Sequence, residues 1–440
     1  MPTFNHKLAK AQKALKESGI KLLPHQVVGV KWLLEKERSV IKGGILADDM
    51  GLGKTVQIIS VMLGNTKKIN LVVVPANIIM QWKSAVERFA PSLNIVVHWG
   101  DSRINGSTLR RINDSDSSVI LTSYGLVCSE SISQLKIDRI ICDEAHTFRN
   151  SGTKVFKNLD KIHSKIRWAL TGTPIQNRLK DIINIFKFVG YHGANKCNVS
   201  KLIETSLLRR TKDSLPIELP NIDKQITMIR NLSKKDKKVY EKISCGDMNM
   251  DKQNCELERL LRLRQASIST TMVVKSLEKS LGLDLSRYYT KNKKLDYIMR
   301  NLKENMDNDE SRRFIVFTHF KYEIEYMSEK LKSQGIPYGE ISGSVSMFDR
   351  NKIIKDDSLK VLLVQIVSGG TGLNLQKYNY VYFTAPHWNP SMEEQALCRV
   401  YRIGQSQKVT IKYVICNKTI ETRIKEIQKE KTAIIDQHLA

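Results

Sequence analysis

The stretch GGILADDMGLGKT, from Gly43 to Thr55, decides the fold of this chain. Its apolar start is typical of a buried strand, its glycine-rich middle is typical of a turn, and the residues after it follow a helical pattern. A loop between a strand and a helix exposes backbone N–H groups that cradle phosphates. The residues expected to hold a nucleotide are Asp48, Asp49, Met50, Gly51, Leu52, Gly53, Lys54 and Thr55.

The loop departs from the strict GxxxxGK[ST] pattern at its first position, which is Asp48. A second string, DEAH starting at Asp143, follows the apolar residues 137–142 and strengthens the interpretation. We expect Lys54 to neutralise the β and γ phosphates, and Thr55 and Asp143 to hold Mg²⁺. Glu144 is expected to orient and deprotonate the attacking water. Together the two strings predict hydrolysis of a nucleoside triphosphate.

Charge is the outlying property of the composition. The 440 residues include 71 Lys and Arg against 45 Asp and Glu, a net charge of +26. This balance points to a polyanion, either nucleic acid or an anionic membrane. No apolar run reaches membrane-spanning length and the first residues have no apolar core, so we expect nucleic acid and no membrane partner. The seven cysteines form no CxxC pair, which indicates reduced thiols and no zinc site.

Apolar runs alternate with amphipathic helical patterns in both halves of the chain. This alternation predicts an α/β fold of two lobes, each a mainly parallel sheet covered by helices. The expected strands are 44–47, 71–74, 95–98, 119–123, 139–143 and 167–171, then 313–318, 337–341, 361–366, 380–384 and 410–415. The predicted domains are an N-terminal basic segment (1–20), a first lobe (21–206), a brace with a helical insertion (207–290) and a second lobe (291–440).

Six further strings occur in a fixed order around these two. They are LLPHQ (22–26), VVVPANIIMQW (72–82), LTSYGLV (121–127), ALTGTPIQN (169–177), VSGGTGLNLQ (367–376) and QALCRVYRIGQSQKV (395–409). Each string is weak alone, but the ordered set is specific. From residue 22 to 428 the chain resembles the Swi/Snf-type DNA-dependent ATPases of helicase superfamily two.

The resemblance implies two RecA-like lobes that use ATP and Mg²⁺ and track along duplex DNA. The loop, LLRLRQ (260–265) and CRVYRIGQ (398–405) look most like Lodestar-type transcription termination ATPases. The compact size is similar to that of the global transactivators of baculoviruses, which suggests a viral source. We therefore expect a monomeric motor in the nucleus, or the host nucleus, that acts on nucleosomes or a stalled polymerase and affects transcription.

The resemblance also assigns roles to single residues. Gln26 would read the adenine edge, and Arg399 and Arg402, three apart on a predicted helix, would contact the γ-phosphate, Arg402 as the principal finger. His146 would couple the nucleotide site to Thr171 and Thr173. Gly370 and Gly372 would let the backbone approach the nucleotide. The expected DNA contacts are Pro75, Thr122, Ser123, Tyr124, Ser342, Gly343, Asn374 and Trp388.

Several alternatives stay open. Trp82 and Trp388 are as typical of a core as of a DNA contact, and Arg209 and Arg210 are candidates for a bracing role. For the whole chain, the alternatives are a strand-separating helicase and a catalytically silent nucleic-acid-binding regulator. The complete set of Lys54, Asp143, Glu144 and Arg402 favours an active motor.

Overall fold

The computed structural model describes residues 4–176, 178–216, 220–229, 232–246, 255–369 and 373–439. The chain divides after residue 217 into two compact units, and the residues from 434 onward group with the first. Each unit is built on one parallel sheet with helices packed against it. The predicted α/β fold of two lobes is confirmed.

Seven parallel strands form the sheet of the first unit, in the order β3-β4-β2-β5-β6-β1-β7. Both faces are buried, because Leu71 and Val73 of one strand enter one apolar cluster and Val72 and Val74 enter the other. This burial explains the near-continuous apolar runs. The strands are β1 (Lys42–Leu46), β2 (Ile69–Val74), β3 (Asn94–His98), β4 (Ser118–Ser123), β5 (Arg139–Asp143), β6 (Ile166–Leu170) and β7 (Leu207–Leu208).

The helices of the first unit cover the two faces of this sheet. They are α1 (Phe4–Glu17), α2 (Pro24–Lys36), α3 (Lys54–Gly64), α4 (Ile79–Phe89), α5 (Gly106–Asp114), α6 (Glu130–Ser133), α7 (Lys154–Asp160), α8 (Lys180–Val189) and α9 (Val199–Ser206), with 3₁₀ turns at Ala76–Ile78 and Ala145–Phe148. The segment expected as a separate N-terminal piece differs from the prediction. Leu8, Ala11 and Leu15 of α1 are buried in the same cluster as Ile58 and Met62 of α3, so this helix is part of the first unit.

Six parallel strands form the second sheet, in the order β10-β11-β9-β12-β13-β8. They are β8 (Ile222–Ile229), β9 (Phe314–Thr318), β10 (Tyr338–Ile341), β11 (Val361–Gln365), β12 (Tyr380–Phe383) and β13 (Val409–Cys416). The helices are α10 (Lys234–Cys245), α11 (Cys255–Ile268), α12 (Thr270–Leu281), α13 (Lys293–Asn308), α14 (Lys321–Ser333), α15 (Met347–Lys355), α16 (Ile366–Gly369), α17 (Pro390–Val400) and α18 (Ile420–Leu439), with a 3₁₀ turn at Ser286–Tyr288.

Residues 207–290 do not form the separate brace and insertion that the sequence predicts. Strand β7 pairs with β1 in the first sheet, and β8 pairs with the full length of β13 in the second. Helices α10 to α12 are helical as expected, but they share a buried cluster with Ile420 of the second unit. The chain therefore changes from one unit to the other close to residue 217.

The direction of the strands positions the candidate site. In a parallel sheet all carboxyl ends meet at one edge, where ligands of α/β proteins bind. In the first unit the phosphate loop follows β1, Pro75 follows β2, Tyr124 follows β4, Asp143 ends β5 and Thr171 follows β6. Among the residues described, no helix is long and apolar enough to cross a membrane.

Candidate functional site

The phosphate loop runs from Asp48 into the first turn of α3. Gly51 and Gly53 have φ values of +93° and +84°, which suit glycine and open the loop. A Cβ on Gly53 would lie 2.4 Å from Nε2 of Gln26. The Lys54 ammonium group donates to the carbonyls of Asp48 at 2.6 Å and Asp49 at 3.3 Å. The lysine thus lies across the loop, as a phosphate ligand of such a loop should.

Asp48, the departure from the strict pattern, is the buried anchor of the loop. Its carboxylate is 0% exposed and accepts hydrogen bonds from Nε of Arg210 at 2.9 Å and from Nη2 of the same guanidinium. Gln57 of α3 donates to it at 3.0 Å. Arg210 also donates to the His25 carbonyl and, at 2.9 Å, to Oε1 of Gln57. Arg210 therefore joins the loop, α2 and α3.

Asp49 is held by the same chain segment. Its backbone N–H donates to the Arg210 carbonyl at 2.9 Å, and its carboxylate accepts from the Lys212 N–H at 3.1 Å. The Arg209 guanidinium lies 3.8 Å from that carboxylate. The side chains of Asp48 and Asp49 bind residues 209–212, and the expected contact of these two residues with the nucleotide stays a prediction. Arg210 is thus structural within the first unit, which sequence reasoning could not specify.

Gln26 lies against the phosphate loop. Its Nε2 donates to the Leu52 carbonyl at 3.3 Å, and its Oε1 accepts from the Leu23 N–H at 3.0 Å. His25 Nε2 also lies 3.0 Å from the Leu52 carbonyl. Gln26 is buried at the start of α2, so its position fixes the loop directly. Its contact with an adenine stays a prediction.

Asp143 is a buried carboxylate at the end of β5. Trp82 donates from its indole Nε1 to Oδ2 at 2.8 Å, and the Glu144 N–H donates to Oδ1 at 2.9 Å. Burial, together with the neighbouring Glu144, raises the pKa of Asp143 to about 6. Trp82 is 2% exposed, so of its two alternatives the structure favours the core.

The donor set fits an Mg²⁺ ion carried by phosphates. Within the described part of the chain, no group of three His, Cys, Asp or Glu side chains is placed to hold a metal by itself. Mg²⁺ is commonly held by one or two protein oxygens together with substrate phosphates. Asp143 and the half-buried Thr55 are the residues that would supply them. The bound ion would neutralise phosphate charge.

Glu144 has an uncommon backbone conformation, with φ and ψ of 52°. Non-glycine residues in the left-handed region cluster at functional sites. Its Oε2 lies 3.4 Å from Nδ1 of His146. Burial, with Arg149 nearby, lowers the pKa of His146 to about 4, so its imidazole is neutral at pH 7 and this contact is not an ion pair.

We expect His146 to couple the nucleotide site to Thr171 and Thr173, but the structure shows no hydrogen bond between His146 and these threonines. Thr171 Oγ1 accepts from the Thr173 N–H at 3.1 Å, and the Thr171 N–H donates to the Leu46 carbonyl at 3.1 Å. No hydrogen bond joins His146 to either threonine, all three of which are described. The coupling of His146 to these threonines therefore does not run through a direct hydrogen bond, and the coupling itself stays a prediction.

Two residues of the first unit that we expect to contact DNA have buried side chains. Thr122 is 0% exposed and its hydroxyl donates to the His98 carbonyl at 3.1 Å. Tyr124 is 6% exposed and its hydroxyl donates to the Asp143 carbonyl at 2.6 Å. Burial raises the pKa of Tyr124, so the phenol keeps its proton. Ser123 is also buried, at 8% exposed, whereas Pro75 is half-buried. The side chains of Thr122 and Tyr124 are therefore engaged inside the first unit, and contact between these residues and DNA stays a prediction.

Arg399 and Arg402 do not share a helix face, contrary to the prediction. Helix α17 ends at Val400, and Arg402 lies in the following turn, where the Gln405 N–H donates to the Arg402 carbonyl at 2.9 Å. The turn is made possible by Gly404, at φ +98°. Burial, with Arg399 nearby, lowers the pKa of the half-buried Arg402 guanidinium. Within the described ranges, no acceptor hydrogen-bonds to that guanidinium, which leaves it available to an anion.

Two glutamines that sequence reasoning missed hold this arginine turn. Gln405 is buried and its Nε2 donates to the carbonyls of Gln376 at 2.9 Å and Val400 at 3.2 Å. Gln376 donates in return to the Ile403 carbonyl at 2.6 Å. The strings 367–376 and 395–409 are therefore locked together. The signal in the sequence was that each of these two strings contains a glutamine, Gln376 in the first and Gln405 in the second.

Of the remaining predicted residues of the second unit, Ser342, Gly343 and Trp388 lie apart from the arginines, whereas Asn374 lies close to them. Ser342 and Gly343 follow β10 at the carboxyl edge of the sheet, and Trp388 follows β12 at the same edge. Arg402 lies between α17 and β13, at the opposite edge, near Asn374 and Gln376. Gly343 and Asn374 are exposed, and Trp388 is half-buried. Gly370 and Gly372 lie outside the described residues.

Comparison with known proteins gives two domain matches. Residues 25–199 match the SNF2-related domain, which contains the phosphate loop and the DEAH string. Residues 291–404 match the helicase conserved C-terminal domain, and this range contains Arg399 and Arg402. The two matches follow each other in the order that the sequence strings predict.

Full-length relatives are longer than this chain. An uncharacterised ATP-dependent helicase of Mycoplasma genitalium is 32% identical, over 95% of this chain and 42% of the relative. A putative ATP-dependent helicase/translocase of Bacillus subtilis is 30% identical, over 94% and 48%. Transcription termination factor 2 of Drosophila melanogaster is 24% identical, over 95% and 57%. The chain thus spans less than half of the two bacterial relatives. No relative named here supports a viral source.

Among solved structures, the Sulfolobus solfataricus SWI2/SNF2 ATPase core in complex with double-stranded DNA is similar. It is 25% identical, covers 96% of this chain and 93% of its own, and has a TM-score of 0.43.

Proposed function

We propose that this chain, which carries an SNF2-related domain and a helicase conserved C-terminal domain, is a DNA-dependent ATPase that translocates on duplex DNA. The observation that carries the proposal is the assembly of Lys54, Thr55, Asp143 and Glu144 at one edge of the first sheet. Mg²⁺ and ATP are the matching cofactors, and both bacterial relatives are named as ATP-dependent helicases.

Each residue of this set has a separate task. Lys54 binds and neutralises the terminal phosphates, and the loop N–H groups fix their position. Glu144 accepts the proton of the attacking water, and because His146 beside it is neutral, no ion pair with that residue weakens the carboxylate as a base. Arg402 stabilises charge that develops in the transition state. Its guanidinium contacts no acceptor among described residues, which suits that task.

Duplex DNA is the proposed polyanion. A net charge of +26 provides attraction to phosphates without base recognition, which a translocating motor requires. Gly343 and Asn374 are exposed and can approach a DNA backbone.

Triplex displacement tests translocation, because a motor moving on duplex DNA removes the third strand. Displacement that needs ATP supports the proposal, whereas separation of a forked duplex without triplex displacement would favour a strand-separating helicase.

The proposed biological role is displacement of protein from DNA, with an effect on transcription. Support comes from the Drosophila relative, whose name is transcription termination factor 2, and from a yeast chromatin-remodelling ATPase that is 27% identical. Nucleosomes and stalled polymerase are the obstacles to test. The named relatives include both bacterial and eukaryotic proteins, so a nuclear location stays a prediction. Action as a monomer also stays a prediction.

A further inference from the structure

The peptide unit between Asp143 and Glu144 is held at both ends. Its carbonyl accepts from the Tyr124 hydroxyl at 2.6 Å, and its N–H donates to the Asp143 carboxylate at 2.9 Å. The other oxygen of that carboxylate accepts from Trp82 at 2.8 Å. These three bonds fix the plane of one peptide and the side chain that precedes it.

This peptide matters because it sets the direction of the Glu144 side chain. Glu144 has φ 52°, and a left-handed conformation of a non-glycine residue persists only where its surroundings hold it. Rotation of the peptide would let Glu144 relax to an ordinary conformation and would move its carboxylate. On the far side, the Glu144 carbonyl accepts from the N–H of Thr147 at 2.9 Å and from its hydroxyl at 2.8 Å.

The two donors, Tyr124 and Trp82, lie in or next to segments that are expected to contact DNA because they resemble DNA-contacting strings of the family. Tyr124 lies between buried Ser123 and exposed Gly125, in the turn after β4. Trp82 lies on α4, which follows Pro75 and its 3₁₀ turn. A displacement of either backbone segment by a bound phosphate chain is therefore transmitted to Asp143 through one side chain.

We propose that Tyr124 is a positioning residue that links contact with DNA at residues 123–125 to the orientation of Glu144. The inference rests on the proposed DNA-dependent ATPase function and names how its site is regulated. The ring of Tyr124 is buried beside Phe148, at 6.0 Å between ring centroids, so the position of its hydroxyl depends on how the turn that carries it is held. DNA on the turn keeps the hydroxyl on the Asp143 carbonyl, and the peptide then holds Glu144 for proton abstraction.

The test compares Tyr124→Phe with the wild-type chain. The variant keeps the ring and loses only the bond to the Asp143 carbonyl. The turnover number with saturating duplex DNA should fall about tenfold, because one such hydrogen bond contributes about that factor at most. The KM for ATP and the Kd for duplex DNA should each change less than about twofold. A purely structural residue would instead lower thermal stability or both affinities.

Tyr191→Phe is the matched control, because it removes a hydroxyl that bonds to Ser206 elsewhere in the same unit. It should leave DNA stimulation intact. Equal stimulation in Tyr124→Phe and Tyr191→Phe would overturn the inference. A wild-type chain that duplex DNA does not stimulate would instead refute the proposed function, and the inference would fall with it.

Hydrogen exchange on the wild-type chain decides the question without relying on the fold of a variant. Duplex DNA should slow exchange in residues 123–128 and also in 143–148, where the Glu144 and Thr147 amides are bonded. Protection of the turn with unchanged exchange at 143–148 would overturn the proposed link.

Discussion

Replacement of Arg210 by methionine tests the interpretation of Asp48 as the anchor of the phosphate loop. The Arg210 side chain is 12% exposed and Asp48 is fully buried, so the change leaves a carboxylate without its cation. Breaking a buried ion pair in this way costs about 3–5 kcal/mol. Gln57 still donates to Asp48 at 3.0 Å. We therefore expect the lower end, a loss of about 3 kcal/mol in the free energy of unfolding of the first unit.

The assay is urea unfolding followed by tryptophan fluorescence. Four of the five tryptophans, at positions 32, 82, 99 and 168, lie in the first unit, so the signal reports mainly on it. Adding Asp48→Asn to Arg210→Met removes the buried charge and should recover at least about half of the loss. Binding of an ATP analogue should weaken in Arg210→Met, because the loop loses its support.

Arg209→Met provides the matched control. Arg209 is the neighbouring residue, but it lies 3.8 Å from a carboxylate that is 30% exposed. A partly exposed pair of this kind contributes about 1 kcal/mol or less. Equal losses in Arg209→Met and Arg210→Met, or no recovery in the double variant, would refute the reasoning.

Three further predictions concern turnover, pH and salt. Arg402→Ala should lower the turnover number by about 10³-fold or more while ATP affinity stays within a few-fold, since a finger acts on the transition state; equal losses would identify a ground-state ligand. Burial, with Arg264 nearby, lowers the pKa of His319 to about 3, so the unfolded chain takes up a proton near pH 6.5 that the folded chain does not. Stability should therefore fall by about 2 kcal/mol from pH 6.5 to pH 5, and His319→Gln should flatten that slope in urea titrations. Affinity for duplex DNA should fall about 10³-fold between 50 and 200 mM salt if six phosphates are contacted, and a flat response in a fluorescence titration would contradict phosphate binding.

The central strands of both sheets could be predicted because burial on two faces leaves a continuous apolar run. Strand β5 (Arg139–Asp143) is such a case, with all five residues buried. The sequence did not predict strand β8, which lies at a sheet edge. Its residues alternate mostly between half-buried and exposed, and the charged Asp223 and Lys224 interrupt any apolar run that would have indicated a strand. A pattern of that kind is equally typical of a solvated linker.

The residue types of the candidate site could be predicted, but the contacts that hold them could not. Asp48 and Arg210 are 162 positions apart, and nothing near either residue identifies the other. The burial of Tyr124 follows from the packing around β4, whereas a tyrosine in a turn is more typical of a surface contact. Gly404 did carry a signal, because a glycine at positive φ indicates a turn rather than a continued helix around Arg402.

DNA-dependent ATP hydrolysis is the most direct test of the proposed function. Phosphate release is measured for the wild-type chain and for Glu144→Gln, each with and without duplex DNA. We expect low turnover without DNA and a many-fold increase with it, and no turnover in Glu144→Gln, although that variant should still bind ATP and DNA. Equal wild-type turnover with and without duplex DNA, or wild-type turnover in Glu144→Gln, would contradict the account.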